Sequence, residues 1–275
     1  MKNIVLFDMD GTLTKPRKVI EDGIIPALRE LSKVSEIGIV TGSDYDYVHQ
    51  QIGMLLEKSE LRYRIHILPC NGTKYYPPPN SANKEYRIAH QVNMREKLGE
   101  TKFRAVISYL LQRQHLMKLY DIPFTGHHID YRGSLINWCP IGRNANEADR
   151  TQFIEFDTKG SSTDTFRHDE IRGFNVRVIN DMLIKDITIK MGGDTSFDIF
   201  PIGWDKTYCL RHFKDYQPAY FVGDRCEPNG NDWEIYNALS YNGRAFKTTG
   251  PEQTSEIIFD HIIPSILRSG EQDDR

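Results

Sequence analysis

The sequence predicts an α/β protein: a doubly wound parallel-sheet core interrupted by an inserted α+β domain. Three observations predict it. Short continuous apolar runs at residues 4–7, 37–40 and 65–68 alternate with helical patterns, as strands buried on both faces do. Each run stops abruptly in polar residues: Asp8-Met9-Asp10, Thr41-Gly42-Ser43-Asp44 and Cys70-Asn71-Gly72-Thr73. Between about residues 88 and 199 this rhythm gives way to antiparallel signals, and it resumes at Ala219-Tyr220-Phe221-Val222-Gly223-Asp224. The core is therefore assigned to residues 1–87 and 200–275, and the inserted domain to residues 88–199.

The elements follow in order. Pro26 suits the first turn of a helix running through Leu31. Asp44 is placed to cap a helix carrying Tyr47, Val48 and Ile52 inward. The stretch Tyr75-Tyr76-Pro77-Pro78-Pro79-Asn80 reads as a stiff connector that continues no regular element. From Glu100 to about Tyr120, Phe103, Val106, Ile107, Leu110 and Leu111 mark one helical face. His128 to Tyr131 and Leu135 to Trp138 flank a turn at Arg132-Gly133-Ser134. Residues 186–191 and 195–200 make a second hairpin around Gly192-Gly193. Asn144 with Glu147 reads as a capping box, which puts Arg143 just before a helix and Arg150 on it. The tail from Ser269 to Arg275 reads as unstructured.

The composition excludes several classes. At 275 residues, 39% hydrophobic and 27% charged, the chain is ordinary for a globular protein large enough for two domains. A net charge of -3 gives no reason to expect nucleic acid or an anionic membrane as a partner, so anion binding must come from local arginines. The opening apolar run is too short for a signal peptide, and no stretch approaches the ~20 apolar residues of a membrane span. Cys70, Cys139, Cys209 and Cys226 form no CxxC pair and read as buried reduced thiols. Asn71-Gly72-Thr73 matches a glycosylation acceptor but reads as a turn. The expectation is a soluble, cytoplasmic protein.

In a parallel sheet, ligands sit beyond the carboxyl ends of the strands, where Asp8, Asp10, Thr41, Ser43 and Asp224 all fall. Three carboxylates at one edge repel one another, so a hard cation such as Mg2+ is expected among Asp8, Asp10 and Asp224. Asp8 can then attack phosphorus to give an acyl phosphate, and Asp10 can serve as general acid/base for the departing or incoming oxygen. Lys206 suits neutralisation of the nucleophile and the transferring group. Thr41, Ser43 and nearby backbone N–H groups suit the phosphoryl oxygens.

These motifs, Asp8-Met9-Asp10-Gly11-Thr12, Val40-Thr41-Gly42-Ser43-Asp44, the lysine of Gly203-Trp204-Asp205-Lys206, and Gly223 to Asp232, resemble haloacid-dehalogenase-type (HAD) phosphotransferases, in the right order. Pro140-Ile141-Gly142-Arg143, Arg150 and Ser196-Phe197-Asp198 through Lys206 sharpen the likeness to eukaryotic-type phosphomannomutases. It runs from Asp8 to about Glu234 and is loosest between Lys74 and Gly126. The resemblance implies a HAD core with an inserted cap, and a phosphoaspartyl enzyme on Asp8. It implies exchange of mannose 6-phosphate and mannose 1-phosphate through a hexose bisphosphate, with hexose 1,6-bisphosphate as activator. It assigns the hexose phosphate to Arg17, Arg132, Arg143, Arg150, Ser196 and Asp198, the cation to Asp8, Asp10 and Asp224, and dimerisation to the cap. The physical reading agrees: Ser196 and Asp198, two apart on a strand, share a face, and paired arginines suit a phosphate. A closed cap would keep water from the acyl phosphate.

The chain departs from the family at four places. Thr41 stands where the family has glycine, and Ala238 replaces an aspartate of a second cation loop. Met191-Gly192-Gly193-Asp194 replaces Arg-Gly-Gly-Met, and Tyr75 to Asn83 reads as an insertion. Two rivals follow: a Mg2+-dependent sugar-phosphate phosphatase, and a non-catalytic sugar-phosphate-binding protein. Intact Asp8, Asp10, Lys206 and Asp224 argue against the second.

Overall fold

A computed structural model describes residues 2–80, 84–159 and 165–273, and the chain divides into two compact units, Met1–Gln91 with Trp204–Arg275, and Val92–Gly203. The first unit opens with β1 (Lys2–Phe7), α1 (Ile25–Leu31), β2 (Glu36–Val40), α2 (Tyr45–Lys58) and β3 (Ile65–Leu68). A two-residue hairpin follows, β4 (Lys74–Tyr75) against β5 (His90–Gln91). Here the structure corrects the sequence reading: Tyr75 belongs to a strand, and Tyr76 bridges back to Ile67, so pairing continues up to the prolines. Of the proposed insertion, residues 81–83 lie outside the described residues.

The second unit contains α3 (Met94–Leu98), α4 (Glu100–Leu116), β6 (Ile129–Tyr131), β7 (Ile136–Trp138), α5 (Glu147–Thr158), α6 (Phe166–Phe174), β8 (Ile187–Gly192) and β9 (Ser196–Pro201). Its four strands form an antiparallel sheet in the order β6-β7-β9-β8. The first unit then resumes with β10 (Tyr216–Gly223), α7 (Trp233–Ser240), β11 (Ala245–Lys247), α8 (Pro251–Ile257) and α9 (Ile263–Asp273). The helix α9 corrects the expectation of an unstructured tail from Ser269; residues 274 and 275 lie outside the described residues.

The core sheet is parallel, in the order β11-β10-β1-β2-β3. Alternation along β1 divides its side chains between two hydrophobic layers. Val5 and Phe7 pack with Ile37, Ile39, Ile65 and Ile67 beneath α1, α2, α8 and α9. Ile4 and Leu6 pack with Val40, Leu68 and Phe221, covered by Cys209, Phe213 and Ile235. Because both faces are covered, residues 4–7 are fully buried, which is why the strand reads as one apolar run.

In the second unit the alternation instead separates an apolar face from a polar one. Trp138 stacks on Phe197 at 4.9 Å between centroids, while Asn137 and Asp198 lie one residue away on the opposite side. The α5 cap differs from expectation by two residues. Asn146 is the N-cap and Asp149 closes the box, so Asn144 and Glu147 do not pair that way. Arg143 still precedes the helix and Arg150 still lies on it. All four cysteines are buried thiols, and Cys70–Gly72 is a short turn with Asn71 at φ 64°.

Candidate active site

The chain leaves β1 into a tight loop organised around one carbonyl. The N–H groups of Thr12, Leu13 and Thr14 and the Thr14 hydroxyl all donate to Met9 O. Asp8 N–H donates to Val222 O at 2.9 Å, tying the loop to the end of β10. Gly11 turns at φ 81°, and a Cβ there would lie 2.4 Å from Asp224 Oδ2, so only glycine lets this loop meet the acid that follows β10.

Three carboxylates meet at this edge. Asp8, Asp224 and Asp232 each offer an oxygen within 4.8 Å of the others. Lys206, at the start of a 3-10 segment capped by Asp205, reaches between them, with Nζ 2.5 Å from both Asp8 Oδ1 and Asp232 Oδ1. Burial alone would depress the Lys206 ammonium, but Asp232 and Asp8 outweigh it and hold it well above its usual value. Burial pushes the Asp8 carboxyl far up, Lys206 opposes, and Asp232 and Asp224 push it further. Asp224 is pushed up to about 6 by burial first and by Asp232 next.

This crowding fits a divalent cation. Asp224 Oδ1 is buried with no hydrogen-bond partner. Asp232 has both oxygens engaged, Oδ1 by Lys206 and Oδ2 by Arg225 N–H at 3.1 Å. Of these three, Asp8 and Asp224 are thus the carboxylates free to ligate, with Asp232 bracing Lys206. Sequence reasoning missed Asp232. Its signal was its place at the end of the Gly223 to Asp232 motif.

The Asp10 carboxylate is not one of the three that meet within 4.8 Å and is held by donors of its own. Its Oδ1 accepts from Arg17 N–H at 2.7 Å, Gln51 Nε2 at 3.0 Å and Tyr47 OH at 3.2 Å. Three donors on one oxygen hold that carboxylate by the loop. Gln51 in turn accepts from the Thr14 hydroxyl at 2.6 Å, so α2 braces both ends of the turn. The Arg17 backbone N–H contributes here at φ 63°, a conformation uncommon outside glycine. Thr41 and Ser43 follow β2 as predicted. The Thr41 hydroxyl accepts the Ser43 N–H at 3.1 Å, which commits one backbone donor that the sequence reading reserved for phosphate.

A second polar group lies in the Val92–Gly203 unit. Buried Arg132 pairs with Asp130 at 2.9 Å, and Arg143 Nε stands 3.7 Å from the same oxygen. Burial would raise the Asp130 carboxyl, but Arg132 and then Arg143 outweigh it and leave it below the usual range. Arg143 is lowered by burial and by Arg132 beside it. Arg150 donates to Thr195 Oγ1 at 2.9 Å and to Ala145 O at 3.2 Å. Ser196 and Asp198 line the same sheet face, joined by Asn137, which donates to Ser196 Oγ at 3.0 Å and Asp198 Oδ1 at 2.7 Å. The structure therefore gathers Arg132, Arg143, Arg150, Ser196 and Asp198 into one group. Arg167, also unforeseen, pairs with buried Asp157 at 2.7 Å and donates to Gly193 O, bracing the turn between β8 and β9.

This chain is similar to several known proteins. A profile of the eukaryotic phosphomannomutase family matches residues 24–263. The phosphomannomutase of Dendrobium officinale is 35% identical over 255 residues, covering 92% of this chain and 91% of that protein. The phosphomannomutase of Glycine max is 34% identical over 253 residues, covering 91% and 92%. Among solved structures, an N-terminally truncated IMP-nucleotidase of Plasmodium falciparum superposes with a TM-score of 0.58 at 14% identity, covering 94% of this chain and 69% of that one. A trehalose-6-phosphate phosphatase related protein superposes with a TM-score of 0.52 at 13% identity, covering 97% and 100%. These two share the fold.

Proposed function

Because this chain belongs to the eukaryotic phosphomannomutase family, we propose that it interconverts mannose 6-phosphate and mannose 1-phosphate, with Asp8 as phosphoryl carrier. The observation that carries this reading is the buried meeting of Asp8 with Lys206, Asp224 and Asp232 at the carboxyl edge of the parallel sheet.

The chemistry follows from the residues. Phosphorylated Asp8 gives its phosphoryl group to the free hydroxyl of a hexose monophosphate, and the carboxylate leaves as the new O–P bond forms. Asp10 takes the hydroxyl proton. The three donors on its Oδ1 leave Oδ2 for that task. The resulting hexose 1,6-bisphosphate turns end for end. Asp8 then attacks the other phosphorus, and Asp10 returns the proton to the departing sugar oxygen. Lys206 neutralises charge on Asp8 between the two transfers. Asp8, Asp10 and Asp224 would hold Mg2+, which when bound would supply electrostatic stabilisation of the transferring phosphoryl group. Arg132, Arg143 and Arg150 suit the phosphate that is not transferred, and Ser196 and Asp198 suit sugar hydroxyls. A hexose 1,6-bisphosphate activator restores Asp8 to its phosphorylated form. A homodimer formed through the inserted domain and a cytoplasmic location complete the proposal. Among the described residues no helix is long and apolar enough to cross a membrane.

The test is phosphorus NMR of mannose 1-phosphate incubated with the protein, Mg2+ and a trace of hexose 1,6-bisphosphate. Mannose 6-phosphate should accumulate to equilibrium. Inorganic phosphate without isomerisation would replace this reading with a phosphatase, and an unchanged spectrum would leave a binding protein.

A further inference from the structure

One line of residues crosses the entire sheet of the Val92–Gly203 unit. Asp130 on β6 pairs with Asn137 on β7, Asn137 with Asp198 on β9, and Asp198 with Lys190 on β8. Directly opposed residues in a sheet share a face, so this is a continuous polar row of acid, amide, acid and base. Asn137 is its buried centre, 3% exposed, set between the apolar residues Ile136 and Trp138.

Its amide is used at both ends. Oδ1 accepts from Arg143 Nη1 at 2.8 Å. Nδ2 donates to Asp198 Oδ1 at 2.7 Å, Ser196 Oγ at 3.0 Å and Phe197 O at 3.3 Å. The orientation of the amide follows from its neighbours. A guanidinium has only donors and must face the oxygen, while the Asp198 carboxylate accepts and must face the nitrogen. No other natural side chain of this length presents an acceptor to an arginine and a donor to a carboxylate while carrying no charge. A charged side chain here would stand between Asp130 and Asp198, with Arg132, Arg143, Arg150 and Lys190 on the surrounding elements.

We propose that Asn137 is a positioning residue for the hexose phosphate: it aims the Arg143 guanidinium and the Asp198 carboxylate together, so that phosphate and sugar hydroxyls are recognised as one ligand. This rests on the mutase reading above. Removing the amide leaves Asp8 and Lys206 as they are, so the loss belongs to ligand recognition.

The experiment compares wild type, Asn137→Ala and Asn137→Asp, each checked by thermal melting. Mannose 1-phosphate binding is measured by calorimetry and isomerisation by KM and kcat. Asn137→Ala should weaken binding and raise KM by roughly 10- to 100-fold, the usual cost of stranding buried polar partners, with kcat within about threefold. Asn137→Asp keeps the shape and the acceptor for Arg143 but sets a carboxylate against Asp198. The pair then shares one proton at low pH, where the protonated group replaces the lost amide donor. Its affinity relative to wild type should therefore be closest at about pH 5 and fall as pH rises to about 8. The ratio to wild type at each pH removes the titration of the sugar phosphate itself. Should Asn137→Ala fail to fold, the near-isosteric Asp variant carries the test alone. Unchanged KM in a variant of an active wild type, or a flat pH ratio, overturns the role of Asn137. A wild type that neither binds nor isomerises mannose 1-phosphate overturns the functional reading instead.

Discussion

Lys206 donates to Asp8 across a fully buried 2.5 Å contact, although the two stand 198 positions apart in the chain. The same ammonium serves Asp232, so one positive charge holds two buried carboxylates, and it opposes the rise that burial imposes on Asp8. Replacing it removes the compensation from both. Lys206→Met should lower unfolding stability in Mg2+-free buffer by about 3–5 kcal/mol, as broken buried ion pairs do, and abolish turnover. Urea melts followed by circular dichroism measure the first effect and the isomerisation assay the second.

Asp8→Asn keeps the shape of the nucleophile but not its charge. Turnover should fall by at least about 1000-fold, and no phosphoryl group should transfer from labelled hexose 1,6-bisphosphate to the protein. The measurement is hydroxylamine-sensitive label retained on the protein, which the wild type should show and the variant should lack.

The Asp224 carboxyl, pushed up to about 6 from its ordinary 3.8, makes cation binding depend on pH. Below about 6 the group holds a proton that the cation must displace, and above it the carboxylate is available. The rise in melting temperature on adding Mg2+ should grow from about pH 5 to about pH 7 and then level off. In metal-free buffer the sign is opposite. A raised folded pKa contributes stability fully below the unfolded value, and that contribution is lost as pH rises through about 6. Melting curves with Mg2+ and with a chelator, across this range, check both directions.

Gln51 connects Asp10 to Thr14 and holds the proposed acid/base by the loop. Gln51→Leu should reduce kcat by roughly 10- to 100-fold, part of what general acid/base catalysis provides, with KM nearly unchanged. Tyr47→Phe removes a longer bond on the same oxygen and should cost only a few-fold. Steady-state kinetics with mannose 1-phosphate distinguish the two.

Much of this architecture was legible because burial on both faces leaves a plain mark. Residues 4–7 are apolar throughout since each layer needs them, and the acid that follows can only stand at the sheet edge. What was not legible depended on neighbours distant in sequence. Asp232 ends the Gly223 to Asp232 motif, but its task shows only in the fold, where it precedes α7 and pairs with Lys206. Nothing in the local sequence of Asp10 shows that α2 supplies Tyr47 and Gln51 to hold its Oδ1. The α5 cap had two asparagines, Asn144 and Asn146, each three residues before an acid, and spacing alone could not choose. Asn137 did leave a signal: a lone amide between Ile136 and Trp138 is a polar group set in an apolar strand, which needs partners.

The placement of β1 between β2 and β10 also dictates a timetable for synthesis. The loop bearing Asp8 emerges from the ribosome long before β10, whose Val222 O receives the Asp8 N–H. At about 5–20 residues per second, some 200 residues of waiting amount to roughly 10–40 s. Throughout that interval β1 has an open edge, and the Val92–Gly203 unit, whose sheet is drawn from its own sequence, can fold first. The nascent nucleophile thus spends roughly its first 10–40 s beside an unpaired strand edge, the moment when a chaperone would matter most to this chain.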